Sequence, residues 1–304
     1  MIITAVTGKS GSHDEVPQQL MDDSAPTAIW RQGLKGLVAI AATLALFAAV
    51  AFGFDASAVR VFLGLTPPLD VPYVATRSAT VDAMLDMAEV GTGDYVIDLG
   101  TGDGRILIAA ARDRGANGLG VDLDAALIDD ANDEAESLGL TDRVAFRVQD
   151  LFDTPLEDAD VVAMFLLPEV NLRLRPRILE LTPGTRIVSN RFDMGEWRAD
   201  DQRQVRGYPV YMWTVPADAA GTWQLEFDGR SIPLTLEQSF QDVTGTAVIG
   251  GEVQAITAVL DGDAMRFGLE LADGRRVFEG ILQEGRFVPK DDANWQALRI
   301  DPEG

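Results

Sequence analysis

From residue 95 onward, short apolar runs alternate with longer mixed segments. The runs fall at 95–98, 118–121, 144–148, 161–165 and 185–190, and their apolar residues sit at consecutive rather than alternate positions, as in Tyr95-Val96-Ile97 and Val161-Val162-Ala163-Met164-Phe165. That is the pattern of strands buried on both faces of a parallel sheet. The segments between them read as helices. Residues 105–112 are rich in Ile, Leu and Ala, and 124–138 are rich in Ala, Asp and Glu. Ahead of the first run, Val81, Met84, Leu85 and Ala88 recur at i, i+3, i+4 and i+7, one apolar helix face. Two further runs, 203–206 and 210–215, read as a hairpin closing the sheet. Strand and helix in alternation predict an α/β domain with helices on both faces of a Rossmann-like sheet.

The pattern changes at about residue 217. Residues 223–227, 232–237, 265–271, 277–282 and 295–300 alternate apolar and polar, with Asp228-Gly229, Asp261-Gly262 and Asp273-Gly274 as turns between them. This predicts an antiparallel meander, a small barrel or sandwich, over 217–304. At the other end, residues 1–27 are polar and read as a disordered tail. Residues 36–54 carry no charge and show no polar face, which suits a helix crossing a hydrocarbon core of about 20 residues. The segment 28–56 is thus a single-pass transmembrane anchor or, given Ala56-Ser57-Ala58, a signal segment. Residues 57–69 form a linker and 70–216 the α/β domain. Arg31 and Lys35 before the span, against Arg60 after it, favour an outside location for the domains.

Composition narrows the chemistry. There is no cysteine, and the single histidine, His13, lies in the polar tail, so disulfides, Cys/His metal sites and a His-based triad have no residues to draw on. The net charge of −23 repels polyanions, which bind through Lys/Arg contacts to phosphate, and makes nucleic acid an unfavourable partner. Eight arginines between 173 and 206 run against that charge. They suit either an anionic ligand or, as the better reading, ion pairs with nearby Glu169, Glu180, Asp193, Glu196, Asp200 and Asp201.

The candidate chemistry lies where the first strand meets the first following helix, at Asp98-Leu99-Gly100-Thr101-Gly102-Asp103-Gly104-Arg105. Glycines at alternate positions let the backbone approach a ligand closely. The spacing fails the G-x-G-x-x-G/A dinucleotide pattern at its third position, and no Gly-Lys-Ser/Thr follows for a P-loop. Asp103 inside the turn disfavours a pyrophosphate, whereas Asp98 and Asp103 together suit a cationic ligand end such as an ammonium. Asp122 ends the second strand about 20 residues after the loop, where an acid takes ribose hydroxyls in nucleotide-binding units.

The pattern from Asp98 through Gly100, Gly102 and Gly104 resembles motif I of the class I methyltransferases that use S-adenosyl-L-methionine. With Pro72-Tyr73-Val74 ahead of it and Arg191-Phe192 to Trp197 behind it, it is similar to the membrane-anchored protein-lysine methyltransferases that act on the ATP synthase c-subunit and the adenine nucleotide carrier. The resemblance covers about residues 70–213 and implies a seven-stranded sheet and S-adenosyl-L-methionine as cofactor. It implies that Asp150 accepts from the adenine amino group and that the Leu151 amide meets a ring nitrogen. It leaves Tyr73 either as a lid over the ligand or as packing. Asp70, Glu169 and Asp193 are candidates to orient or deprotonate an acceptor amine, with hydrogen bonds from Tyr73 and Asn171. An Asn/Asp-Pro-Pro-Tyr/Phe box, usual in enzymes that methylate nucleic-acid amines, is missing after the fourth strand. The expected function is methyl transfer to a protein, by analogy to a lysine, or to a small-molecule amine. The alternative is a tethered or exported binding module of the same fold without turnover. Because S-adenosyl-L-methionine is held in the cytoplasm, an enzyme belongs on the cytoplasmic face, against the charge bias around the span.

Overall fold

The computed structural model describes residues 75–300. The expected tail, membrane or signal segment and linker, together with Asp70 and Tyr73, lie outside the described residues. Among the described residues no helix is long and apolar enough to cross a membrane.

The first element is α1 (Ser78–Met87), followed by β1 (Tyr95–Leu99), α2 (Arg105–Arg114), β2 (Asn117–Asp122), α3 (Ala125–Ser137), β3 (Val144–Val148), β4 (Val161–Met164), α4 (Pro168–Ile178) and β5 (Arg186–Asn190). The hairpin β6 (Asp201–Val205) and β7 (Tyr208–Thr214) completes a seven-stranded sheet in the order β3-β2-β1-β4-β5-β7-β6. β1 to β5 pair in parallel, and β7 runs antiparallel to β5. Helices lie on both faces. α1, α2 and α3 bury Val81, Leu85, Leu107, Ala110 and Ile128 with Val96 and Val188. On the other face, Val170, Leu174 and Ile178 of α4 pack with Ile97, Leu99, Met164 and Ile187.

Local chemistry accounts for the boundaries. α2 is built from strong helix formers and ends at Gly115, whose φ of 73° is the left-handed cap that glycine adopts without a Cβ clash. At the start of α3, the Asp124 side chain accepts from Ala126 N at 3.0 Å, an N-cap. Pro168 opens α4, where its missing N–H would have had no helical partner. The helix α4 was not legible in the sequence, since its Arg-rich composition masked Val170, Leu174 and Ile178.

The C-terminal eight strands are β8 (Gly221–Phe227), β9 (Arg230–Ser239), β10 (Asp242–Ile249), β11 (Glu252–Asp261), β12 (Ala264–Leu271), β13 (Gly274–Gln283), β14 (Arg286–Pro289) and β15 (Trp295–Ile300). They close into a barrel with β15 against β8, so of the two expected forms the barrel is the one found. An eight-stranded barrel has an interior just wide enough for side chains. Here Trp223, Phe227, Phe267, Phe278, Phe287 and Trp295 fill it, with Phe278 stacked or edge-on to three of the others. The barrel meets the sheet through Trp197, stacked on Phe240 at 6.0 Å, and through buried Gln241, whose Nε2 donates to Arg198 O and Asp200 Oδ1 at 2.7 and 2.9 Å.

Candidate functional site

Strand order reverses at β1, which has β2 on one side and β4 on the other. An open α/β sheet binds ligands at the carboxyl ends of the strands beside such a switch point. The Gly100–Gly104 turn leaves β1 there. Its Gly100 and Thr101 amides both donate to Val121 O at 2.9 Å, which folds the turn over the end of β2. Gly100, Gly102 and Gly104 have φ of 72°, 57° and 76°, the conformation that requires glycine. A Cβ on Gly104 would stand 2.7 Å from the Phe146 ring and 2.9 Å from Ala131, and one on Gly100 would stand 2.7 Å from Leu166 Cδ2.

Asp98 is 1% exposed. Its Oδ2 accepts from Thr101 Oγ1 at 2.7 Å, while its buried Oδ1 has no hydrogen-bond partner. Burial pushes its carboxyl up to about 7; the Thr101 hydroxyl works against that rise, and the charges of Asp122 and Asp103 add to it. A buried carboxylate oxygen left without a donor is costly unless a ligand supplies one. An ammonium is such a donor. Asp122 reaches back to the same turn, with Oδ2 accepting from Gly102 N at 2.9 Å and Oδ1 from Asp124 N at 3.0 Å. Each oxygen of a carboxylate carries a second acceptor position, so a diol still has room. Gln149 N donates to Asp122 O at 3.0 Å, which brings the end of β3 alongside. There Asp150 Oδ1 accepts from Phe152 N at 2.8 Å and caps a single 3-10 turn beginning at Leu151. Asp98, Asp122 and Asp150 therefore line adjacent strand ends in the order an ammonium, a ribose and a base would need.

Asp103 is placed differently from the expected ammonium-facing position. Both its carboxylate oxygens accept from the Arg105 guanidinium, the Nε contact at 2.8 Å, and Arg105 also donates to Thr76 O at 2.7 Å. The pair lines a cleft of about 450 Å3 on the helical side of the turn, with Ser78, Asp82, Asp130 and Glu134. The bidentate pair puts a cation against Asp103 and leaves Asp98 as the acid with a buried open oxygen.

At the ends of β4 and β5, Glu169 is exposed in the first turn of α4 and Asp193 is exposed two residues beyond Arg191. Asp193 Oδ1 accepts from Gly195 N at 3.0 Å. Asn171 joins these loops. Fully buried, it donates through Nδ2 to Phe192 O and Asp193 O at 3.2 Å, and its Oδ1 has no partner. Thr101, which donates to Asp98, is not marked out by the motif spacing. Asn190 is 5% exposed and ends β5 as Asp122 ends β2, so a polar residue closing an apolar run was the available signal.

The arginine segment also departs from expectation. Of the acids named as its partners, Asp201 pairs, with Arg203 at 3.0 Å. Arg186 instead binds Asp94 at 2.7 Å and Arg198 binds Asp242 at 3.2 Å, acids distant in sequence. Arg175 and Arg177 donate to backbone carbonyls, and Arg173 lies over the Phe152 ring at 3.8 Å. Side chains this long bridge elements rather than pairing locally.

The chain is similar in sequence to known methyltransferases. Residues 98–201 match the family model described as the ANTKMT methyltransferase domain. A protein-lysine N-methyltransferase of Saccharolobus islandicus is 38% identical over 151 residues, covering 48% of this chain and 94% of that protein. The adenine nucleotide translocase lysine N-methyltransferase of Mus musculus is 34% identical over 43% of this chain and 57% of its own length. Among solved structures, an RNA methyltransferase of Salinibacter ruber in complex with S-adenosyl-L-homocysteine is 46% identical, covers 48% of this chain and 95% of that one, and superposes with a TM-score of 0.47.

Proposed function

The chain belongs to the ANTKMT methyltransferase family, whose cofactor is S-adenosyl-L-methionine, and on that premise we propose that its acceptor is a lysine side chain of a basic protein. The observation that carries the proposal is the similarity to the Saccharolobus islandicus protein-lysine N-methyltransferase across 94% of that protein. The net charge of −23 supports a cationic acceptor over a polyanion.

When bound, the cofactor supplies a methyl group already activated on a sulfonium, so the protein's task is chiefly alignment. In the proposed arrangement Asp98 holds the ammonium through its open Oδ1. Gly100, Gly102 and Gly104 bring the backbone against the ligand, and Asp122 accepts from the ribose hydroxyls. Asp150 and the Leu151 amide take the adenine edge, and Asp103 holds the turn through Arg105. Tyr73, proposed to contact the cofactor as a lid or to serve as packing, lies outside the described residues. The acceptor nitrogen must be neutral at the moment of attack, so a bound ammonium first loses a proton. Glu169 and Asp193, with Asp70 outside the described residues, are the carboxylates assigned to take its proton or orient it. Residues 28–56 are proposed as a single-pass anchor that keeps the enzyme at a membrane, on the cytoplasmic side where the cofactor is held. A reporter fused after Gly304 and active only in the cytoplasm tests that placement; activity only of an exported reporter sinks it.

The test of the activity is transfer of labelled methyl from S-adenosyl-L-methionine to a set of lysine-rich proteins and to RNA, followed by amino-acid analysis. Label recovered as methyl-lysine, and lost in Asp98→Ala and Asp122→Ala, supports the assignment. Label in RNA alone overturns the acceptor. Cofactor binding without transfer to any acceptor favours a binding module of the same fold.

A further inference from the structure

Three aromatic rings and one guanidinium meet beside the carboxyl ends of β4 and β5. Phe165 follows β4, Phe192 lies two residues past the end of β5, and Tyr208 opens β7. The Phe165 and Phe192 rings stack with centroids 6.5 Å apart. The guanidinium carbon of Arg191 sits 3.7 Å from the Tyr208 centroid and 5.4 Å from that of Phe165. Arg191 forms no ion pair among the described residues, although acids outnumber Lys and Arg 48 to 25 in this chain. Its backbone takes a φ of 71°, unusual for a residue with a Cβ, and its N–H donates to Pro209 O at 2.8 Å. The start of β7 thus holds Arg191 with its charge against the rings.

The position of this cluster matters. Phe165 immediately precedes Leu166, the side chain that packs where a Cβ of Gly100 would be. The rings therefore adjoin the glycine turn on the side of β4, next to the end of the site where an acceptor must approach. Phe165 and Phe192 are half-buried and Tyr208 is 45% exposed, so the cluster is open to solvent. Aromatic faces bind cations through the ring quadrupole, and they suit methylated ammonium groups, which have lost N–H donors that water would otherwise satisfy.

We propose that Phe165, Phe192 and Tyr208 form the binding site for the acceptor's alkylammonium side chain, and that Arg191 is a resident cation which the acceptor displaces. The assignment rests on the methyl-transfer reading and names the acceptor site within it. While Arg191 occupies the rings, the competent fraction is small and apparent acceptor affinity is reduced by that fraction. Removing the guanidinium should restore it.

The experiment titrates the full chain, loaded with S-adenosyl-L-homocysteine, with N-acetyl-trimethyllysine methylamide, a cation that accepts no further methyl group. The neutral control is N-acetyl-norleucine methylamide. Arg191→Gly suits a backbone at positive φ and should fold; Arg191→Gln keeps the stem and loses the charge. Both should bind the cationic probe about tenfold more tightly than the parent, with unchanged affinity for S-adenosyl-L-homocysteine. Adding Tyr208→Ala or Phe165→Leu should abolish the gain. Equal probe affinity in the parent and both Arg191 variants overturns the proposal, as does an equal gain for the neutral control, which would mark an apolar slot. Failure of every variant to bind S-adenosyl-L-homocysteine would strike the methyl-transfer reading instead. The cationic probe titrated into the cofactor-free chain would then still report on the rings.

Discussion

Burial drives the raised pKa of Asp98, and that shift has two consequences of opposite sign. With the folded value near 7 and the unfolded value near 3.8, the shift stabilises the cofactor-free fold fully below about pH 4 and is lost as pH rises through 7. Cofactor binding runs the other way, because an ammonium needs the ionised carboxylate. Affinity for S-adenosyl-L-methionine should therefore climb as pH rises from 5.5 to about 7, with a proton released on binding at the lower pH. Calorimetry in buffers of different ionisation heat measures that proton directly. Asp98→Asn should flatten the rise, and Asp98→Ala should lower affinity by about 10- to 150-fold, since hydrogen bonds to charged groups contribute about 1.5–3 kcal/mol. Unchanged affinity in Asp98→Ala would sink the site assignment. Gly104→Ala tests the turn itself. It combines a φ of 76° with contacts to Phe146 and Ala131 under 3.0 Å, so a loss of about 2 kcal/mol or more in urea unfolding is expected. A neutral result would mean that the turn is not held as described.

Trp197 couples the elements on either side of the sheet–barrel boundary. It is fully buried, stacks on Phe240 of the barrel side, and through its carbonyl accepts from Trp213 Nε1 at 2.8 Å. Trp197→Ala should cost about 3–5 kcal/mol and split urea unfolding into two transitions, one for the sheet and one for the barrel. A single transition of parental midpoint would show that the contact carries no coupling. This boundary also marks where the sequence stops being readable. The parallel strands were legible because burial on both faces demands continuous apolar runs, and the strand-end acids Asp98 and Asp122 stand out against them. In the barrel, β8, β9, β12, β13 and β15 alternate large apolar residues with polar ones and could be found. β10 and β11 could not. Their inward positions include small residues, Ala247 in β10 and Ala258 between Ile256 and Leu260 in β11, and their outward positions are Thr244, Thr246, Thr257, Val253 and Val259, so side-chain hydrophobicity scarcely alternates. Closure supplies what the pattern lacks, since β10 is paired along its length with β11 and from Asp242 to Ala247 with β9. In the site, the Asp103–Arg105 pair was hidden for a related reason. Which of two neighbouring acids is neutralised depends on a rotamer, and motif spacing carries no information about it.

At the scale of the whole molecule, the excess of 23 negative charges is the dominant field. It acts on stability and, for the proposed basic acceptor, on encounter through the same screening. Self-repulsion opposes the compact state, so the melting temperature should rise with added NaCl over the range in which the Debye length shrinks from about 14 Å at 0.05 M to about 4 Å at 0.5 M. Attraction to a basic acceptor is screened over that same range. For a lysine-rich protein acceptor, kcat/KM should fall about tenfold or more between those concentrations, with kcat nearly constant, because a long-range field steers encounter and leaves the aligned complex alone. The two salt effects oppose each other in an activity assay, which is why both must be measured. A falling kcat/KM with a rising melting temperature cannot come from unfolding. If kcat/KM proved insensitive to salt, the acceptor would be recognised by local contacts alone, and the acidic surface would have no part in choosing it. If it rose with salt, screening would be relieving repulsion, and the acceptor would be an anion after all.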